Sequence, residues 1–246
     1  MTHRRTSGSV TTPVWRSRYT FAPMCDRFTV PDRVIAEREF MPKHSWWNFT
    51  AKFNVAPPQY VPAIRQHAGE SEGVMMRWGL IPSWTLQPPV SPQNASVERS
   101  GLEQHIACKG AWLGSQRCIL PVSGFYAWQL TAEKYRQPHF VRLIDRSVFG
   151  LAAIWDRWVG EDDDVIESCC LVSVSANKLM AEIANTDRRM PAILRRNDYR
   201  RWLLGAPEAA KAALRPYEAR RMQAYPVSPR INCATYDDHG LIQPSR

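Results

Sequence analysis

Short apolar runs, each closed by Pro, Gly or Ser, recur along almost the whole chain, and this punctuation limits the fold more than any other feature. Residues 61–65, 74–81, 117–122, 125–129, 148–155 and 169–174 have the length of strands and are too short for core helices. Helix signals are scattered among them. Pro31-Asp32 precedes an amphipathic stretch at 34–41, and Ser175-Ala176-Asn177 caps one at 178–184. Asn197-Asp198 starts another at 199–204, and Pro207 opens a last one within 206–214. Strands and helices do not alternate as βαβ units. The expected architecture is therefore α+β: a single domain with a mixed, strongly curved, barrel-like sheet surrounded by helices.

Finer pairings follow from the same punctuation. Phe53 to Pro58 reads as a strand ended by prolines, and the Gly69–Gly73 stretch as a hairpin turn. Residues 125–129 are expected to partner 117–122 across Ser123-Gly124. Residues 140–143 and 148–155 are expected to pair through an Asp145-Arg146 turn. The stretch 97–109 reads as a helix, with Leu102 and Ile106 on one face.

The formal net charge of the 246 residues is +9. Residues 1–24 hold four arginines and no carboxylate, while residues 186–246 hold twelve Arg/Lys against six Asp/Glu. A basic surface of this kind suits a polyanion or simply keeps the protein soluble. Ten tryptophans, several beside Gly or Pro, serve either as packing or as platforms for unstacked bases. The six cysteines form no C-x-x-C pair and no His cluster has zinc spacing, so neither a metal site nor a disulfide framework is expected. Cys118, Cys169 and Cys170 lie in strand-like runs and are expected to be buried. The reading is a reduced, cytoplasmic protein without cofactor or membrane span.

Within this frame Met24-Cys25-Asp26-Arg27-Phe28 stands out. It reads as a protein start placed inside the chain, with residues 1–24 a disordered leader or a misassigned start and 25–246 the folded domain. A mature chain opening at Cys25 would carry a free α-amine beside a thiol. That pair can condense with an aldehyde into a thiazolidine ring, which a side-chain thiol alone cannot do. Arg27 would favour the thiolate and Asp26 oppose it. Asn94 is either a helix cap or an amide aimed at a reacting carbonyl or sugar oxygen. Asp187 and Arg189, in Thr186-Asp187-Arg188-Arg189-Met190-Pro191, abut an apolar strand and can place charge at a pocket rim or in a surface loop.

Met24–Phe28, Phe53-Asn54-Val55-Ala56-Pro57, Arg77-Trp78-Gly79-Leu80-Ile81-Pro82-Ser83-Trp84, Asn94-Ala95-Ser96-Val97-Glu98, Arg117 through Trp128, Gln137-Pro138-His139-Phe140, Ala152-Ala153-Ile154-Trp155-Asp156, Ser175-Ala176-Asn177, Arg189-Met190-Pro191-Ala192-Ile193-Leu194 and Tyr225-Pro226-Val227-Ser228 follow in this order. Together they resemble the SOS response-associated peptidase (SRAP) family, the abasic-site processing proteins, from Cys25 to about Ser228. The resemblance implies that Cys25 attacks the ring-opened aldehyde of an abasic site in single-stranded DNA and that its amine closes the crosslink. It also implies autoproteolytic removal of the residues before Cys25. Asn94 would contact the opened sugar, and Arg27, Asn54, Trp84 and Arg189 would line the DNA groove. A monomer in the cytoplasm, nucleoid-associated when on DNA, is the corresponding expectation.

The chain departs from the family pattern at four places. Ala127 stands where the family has its catalytic Glu, Asp187 where it has a His, Asp26 where it has a Gly, and Ser96 where it has a phosphate-binding Arg. Asp187 is the candidate carboxylate near the lost Glu. Losing an acid/base group costs about 10²–10⁴ in rate. A degenerate member that binds single-stranded DNA non-covalently is the alternative.

Overall fold

The computed structural model describes residues 27–89 and 96–245. Cys25, Asp26 and Asn94 lie outside the described residues. The strands are β1 (Phe28–Val30), β2 (His44–Ser45), β3 (Lys52–Val55), β4 (Tyr60–His67), β5 (Glu70–Trp78), β6 (Ser96–Glu98) and β7 (Arg117–Val122). They continue as β8 (Gly124–Leu130), β9 (Arg136–Leu143), β10 (Phe149–Val159), β11 (Val165–Ser175), β12 (Arg189–Pro191), β13 (Ile193–Leu194) and β14 (Met222–Pro226). The helices are α1 (Arg33–Phe40), α2 (Ile106–Leu113), α3 (Lys178–Ile183), α4 (Tyr199–Leu204) and α5 (Pro207–Ala213).

Local chemistry sets the helix starts. The Asp32 carboxylate accepts from the Val34 N–H at 2.9 Å, and the Asn177 side-chain oxygen accepts from the Met180 N–H at 2.9 Å, so each satisfies one donor that the first helical turn leaves open. Pro207 occupies the first turn of α5, where its missing N–H costs nothing. The stretch 97–109 differs from expectation. Ser96–Glu98 is a strand that pairs in parallel with Leu171–Ser173, a 3₁₀ turn follows at Arg99–Gly101, and the helix begins only at Ile106. Leu102 is fully buried and Ile106 is 74% exposed, so the two share no buried face. Ladder hydrogen bonds from β11 outweigh a weak local helix preference.

Five strands close into a barrel. β11 pairs β10, β10 pairs β7, β7 pairs β4 and β4 pairs β5, all antiparallel. The ring shuts through a parallel contact of β5 with β11, with Arg77 opposite Ser168 and Trp78 opposite Cys169. Along β5 the residues Val74, Met76 and Trp78 are buried while Met75 and Arg77 are half-buried, the two-residue period of a sheet with one covered face. A second sheet runs β14-β9-β8-β1-β3.

Between β7 and β10 the chain changes sheets twice, and both changes overturn an expected pairing. Residues 125–129 do not partner 117–122: β7 lies in the barrel and β8 in the second sheet, between β9 and β1. One intervening residue, Ser123, is too short to reverse a strand. It passes the chain across instead, its hydroxyl 2.8 Å from that of Thr29. Gly124 permits the crossing, because a Cβ there would stand 2.2 Å from the Phe140 ring. Likewise β9 pairs β8 and β14, whereas β10 joins the barrel. β10 is buried from Phe149 to Ile154 without alternation, the pattern of a strand covered on both faces.

The two faces of the second sheet are covered differently. Phe28, Val55, Phe125, Ala127 and Val141 pack into the main core shared with the barrel. Tyr126 and Phe140 face the other way, against Val227, Ile231 and Leu241 of the C-terminal segment. Cys118, Cys169 and Cys170 are fully buried, as expected, and burial pushes the Cys169 thiol up to about 12. Trp47, Trp78, Trp112, Trp158 and Trp202 are packing residues; Trp46 and Trp84 are the exposed ones. Among the described residues no helix is long and apolar enough to cross a membrane.

Candidate functional site

Arg27 is the first described residue, and its carbonyl accepts from the Tyr126 N–H at 3.0 Å. It therefore fixes where the chain enters the second sheet, at the middle of β8. The next residue of β8 is Ala127, 3% exposed, paired across the ladder with His139. Directly opposed residues put their side chains on the same face, so the imidazole stands beside the Ala127 methyl. His139 Nδ1 lies 3.1 Å from the Gln137 carbonyl. A carbonyl can only accept, so the proton sits on Nδ1 and Nε2 keeps a free lone pair. Burial lowers the His139 pKa, partly offset by that hydrogen bond, which keeps the ring neutral at pH 7.

The turn bearing Asp187 docks on the end of the same strand. Asn185 clamps the Leu130 backbone, Oδ1 accepting from its N–H and Nδ2 donating to its carbonyl, both at 2.9 Å. Gln129 Nε2 donates to the Glu182 carbonyl at 3.1 Å. Asp187 itself is half-exposed and accepts from the Thr186 hydroxyl at 2.8 Å. Its carboxylate is thus held near the C-terminal half of β8 by a neighbour, not by a cation.

Arg189 belongs to a different anchor. Its guanidinium contacts Glu98 and the Ser173 hydroxyl, and Ser173 in turn donates to the Val97 carbonyl at 3.1 Å. Glu98 lies on β6, the strand that follows residues 90–95, so Arg189 is tied to the segment leading out of Asn94. Burial lowers its pKa to about 10. That still leaves it charged at neutral pH, and the Glu98 carboxylate favours the charged form.

Trp84 is 61% exposed on a turn pinned from both sides. The Ser83 N–H donates to Asp156 at 2.8 Å, and the Trp158 indole donates to the Thr85 carbonyl at 2.6 Å. Asp156 pairs with Ser168, five residues before Ser173, so this turn is anchored about 17 Å along β11 from Arg189 at ~3.3 Å per residue.

Arg27 and Asn54 fall on the opposite face of the sheet. Between Phe28 and Val30 the β1–β3 register slips by one residue, a bulge that turns both Phe53 and Asn54 outward. Asn54 is 1% exposed. Its Nδ2 donates toward the carbonyls of Tyr236 at 2.9 Å, Cys233 at 3.1 Å and Ile231 at 3.3 Å. Asp237 accepts from the Phe53 and Asn54 N–H groups at 2.6 and 3.0 Å. Asn54, expected at a DNA groove, spends its amide donors on the C-terminal segment. Arg27 stands near Cys233, an exposed thiol whose pKa is lowered first by the Thr235 hydroxyl and further by that guanidinium.

The structure pairs Ala127 with His139 at the middle of β8 and docks the turn bearing Asp187 at the strand's C-terminal end, on Leu130, about 10 Å further along at ~3.4 Å per residue. It ties Arg189 to β6, sets Trp84 on the barrel, and places Arg27 and Asn54 on the outer face. Sequence reasoning gave no role to His139, although it lies in one of the ordered motifs, or to Cys233. The register that sets His139 beside Ala127 requires the 131–135 hairpin, which stays hidden when 125–129 is paired with another partner. No group of three or more His, Cys, Asp or Glu among the described residues could hold a metal ion.

The abasic site processing protein YoqW of Bacillus subtilis is 28% identical over 229 residues, covering 89% of this chain and 99% of the relative. The abasic site processing protein HMCES of Gallus gallus is 24% identical over 207 residues, 74% of this chain and 60% of that longer protein. A crystal structure from Bacteroides thetaiotaomicron superposes with a TM-score of 0.80 at 20% identity, covering 90% of this chain and all of its own. One from Bordetella bronchiseptica gives 0.73 at 23% identity, covering 83% of this chain; both likenesses bear on the fold alone. A family model matches residues 24–234, so the chain belongs to the SOS response associated peptidase (SRAP) family.

Proposed function

We propose that this protein senses abasic sites in single-stranded DNA and forms a thiazolidine crosslink through Cys25, as part of a DNA damage response. One observation carries the reading: the chain enters the sheet at Arg27, whose carbonyl accepts from Tyr126, next to Ala127 and its cross-strand partner His139, with the Asp187 turn clamped further along the same strand. Exposure of the Cys25 amine, by autoproteolysis before it or by a start at Met24 followed by hydrolytic removal of that Met, is the precondition. The amine adds to the aldehyde carbon, water leaves to give the imine, and the thiolate closes onto the same carbon as the nitrogen takes a proton. One water is released in all.

Asn94 orients the opened sugar, and Asp187 and His139 handle protons near a position where Ala127 supplies none. Arg189 and Arg27 contact phosphates and Trp84 stacks a base. Asn54 acts indirectly, by fixing the outer face. The protein works as a cytoplasmic monomer, associated with the nucleoid when on DNA. Supporting this are the family membership and the names of relatives matched over nearly the whole chain.

The absence of a carboxylate at Ala127 favours a second reading, non-covalent binding of single-stranded DNA. The two separate in one experiment. Protein beginning at Cys25 is incubated with single-stranded DNA carrying an abasic site and run on a denaturing gel. A slow band that vanishes in Cys25→Ser is expected; none at any pH, with salt-sensitive binding retained, leaves the second reading standing.

A further inference from the structure

A second basic site lies at the other end of the β8–β9 sheet. From His139 to Leu143, β9 covers about 14 Å at ~3.4 Å per residue, and beyond it opens a cleft of about 870 Å³. Its walls come from α1, the β9–β10 connection, the residues after β13 and the chain after α5. Six arginines line it (Arg38, Arg146, Arg195, Arg196, Arg215 and Arg221) against three carboxylates.

The carboxylates organise the guanidiniums without cancelling them. Glu39 holds Arg146 and, at 3.2 Å, Arg196. Asp198, whose side chain is only 5% exposed, holds Arg215 and Arg201 at 2.8 Å each. Asp145 holds Arg221, and Glu218 holds Arg195 at 2.6 Å. Counting Arg201 and Glu218, which stand just behind the lining, the excess remains three positive charges. Arg195 and Arg221 also flank the buried Tyr217 ring, each 5.7 Å from its centre. Arg38 makes no ion pair or hydrogen bond among the described residues, and the Arg195 Nη1 is buried with no acceptor among them.

Each guanidinium offers more N–H donors than one carboxylate can take, in a fixed planar fork that matches phosphate oxygens. Forks held by carboxylates, the buried Asp198 and the largely covered Glu39 above all, are ordered before any ligand arrives, which lowers the entropic cost of binding. A single small anion would leave most of them unmatched in a cleft of this size, whereas adjacent phosphates would engage several. We infer that this cleft is a second binding site for ligands with two or more adjacent phosphates, either a stretch of nucleic-acid backbone or a free polyphosphate. The inference does not depend on chemistry at Cys25.

The test is calorimetric titration of the full chain with sodium pyrophosphate, and separately with an unmodified oligonucleotide at several salt concentrations. Arg38→Gln/Arg196→Gln removes two cleft charges from exposed positions; Arg200→Gln, exposed on α4 outside the cleft, controls for net charge. Melting curves for each variant confirm that it is folded. Pyrophosphate should bind, and the double variant should weaken it about tenfold or more while the control does not. If the oligonucleotide's log–log salt slope also falls, by about 0.7 for each phosphate no longer neutralised, the source is nucleic-acid backbone; if only pyrophosphate weakens, it is a free polyphosphate. No pyrophosphate binding with an unchanged slope, or equal weakening by Arg200→Gln, overturns the inference.

Discussion

The two faces of the second sheet are built from alternate residues of the same strands, yet they carry different loads. On the inner face, Phe125 and Val141 pack against the barrel, while Ala127 and His139 leave a small methyl beside a neutral imidazole. On the outer face, Tyr126 and Phe140 clasp the C-terminal segment, and polar side chains are spent on fastening it, with the buried Asn54 Oδ1 left without a donor among the described residues. Tyr126 donates to the Phe53 carbonyl at 2.7 Å, the Trp128 indole to Asn232 at 2.9 Å, and Asn54 to three carbonyls. The outer face fastens; the inner one keeps unspent acid/base capacity. A motif read as one block, Tyr126-Ala127-Trp128, is therefore split residue by residue between stability and chemistry.

Ala127→Glu is the strongest way to break that comparison. If the inner face lacks only an acid/base group, restoring a carboxylate should speed adduct formation by about 10²-fold or more, read as single-turnover rates on DNA with an abasic site. The new side chain enters a buried position, so its pKa should be raised and the melting temperature lowered. An unchanged rate in a folded variant would mean that His139 and Asp187 already supply what the family Glu does, or that no such step occurs.

A second contrast runs between Asn54 on the outer face and Trp84 on the barrel, which the family resemblance would put together at a groove. Asn54→Ala strips the donors from three carbonyls and should cost about 1–3 kcal/mol of folding stability, with the remaining folded protein binding DNA normally. Trp84→Ala should do the reverse, weakening single-stranded DNA by about 1–3 kcal/mol per base stacked with little effect on unfolding. Denaturant titrations beside binding curves separate the two. Equal behaviour of both variants would place them in one site after all.

Much of the fold was legible because it rests on local chemistry. Asp32 and Asn177 mark helix starts through hydrogen bonds within a few residues, Pro207 does so through its fixed φ and missing N–H, and the strand runs follow from side-chain period and turn residues. Which strand pairs with which was not legible. Hairpin reasoning joins β7 to β8 and β9 to β10, but the barrel draws β7 and β10 together and leaves β8 and β9 to each other, a choice made by long-range burial. The misread helix at 97–109 has the same origin, since β6 exists only because β11 offers it a ladder. For the candidate site, the ordered motifs singled out Arg27, Ala127, Asp187 and Arg189, which the fold spreads over the outer face, the middle of β8, the turn at its end and a tie to β6. The buried position of Asn54 came from a bulge and a C-terminal segment far away in sequence, which no local pattern carries.

The smallest effect expected is also the one that most sharpens the inner face. Burial lowers the His139 pKa below its ordinary value near 6.5, so the folded protein holds the ring neutral where the unfolded chain would protonate it. In acid the unfolded state then binds the extra proton, and stability falls as pH drops through 6.5 and on through the lower folded value. Above 6.5 the ring contributes no pH dependence. His139→Gln should flatten that part of the stability–pH curve. If Nε2 also takes protons during ring closure, the wild-type rate should decline over the same acid range, and the variant should lose that inflection. A stability change without a rate change would make His139 a packing residue and leave Asp187 as the inner face's one described acid/base candidate.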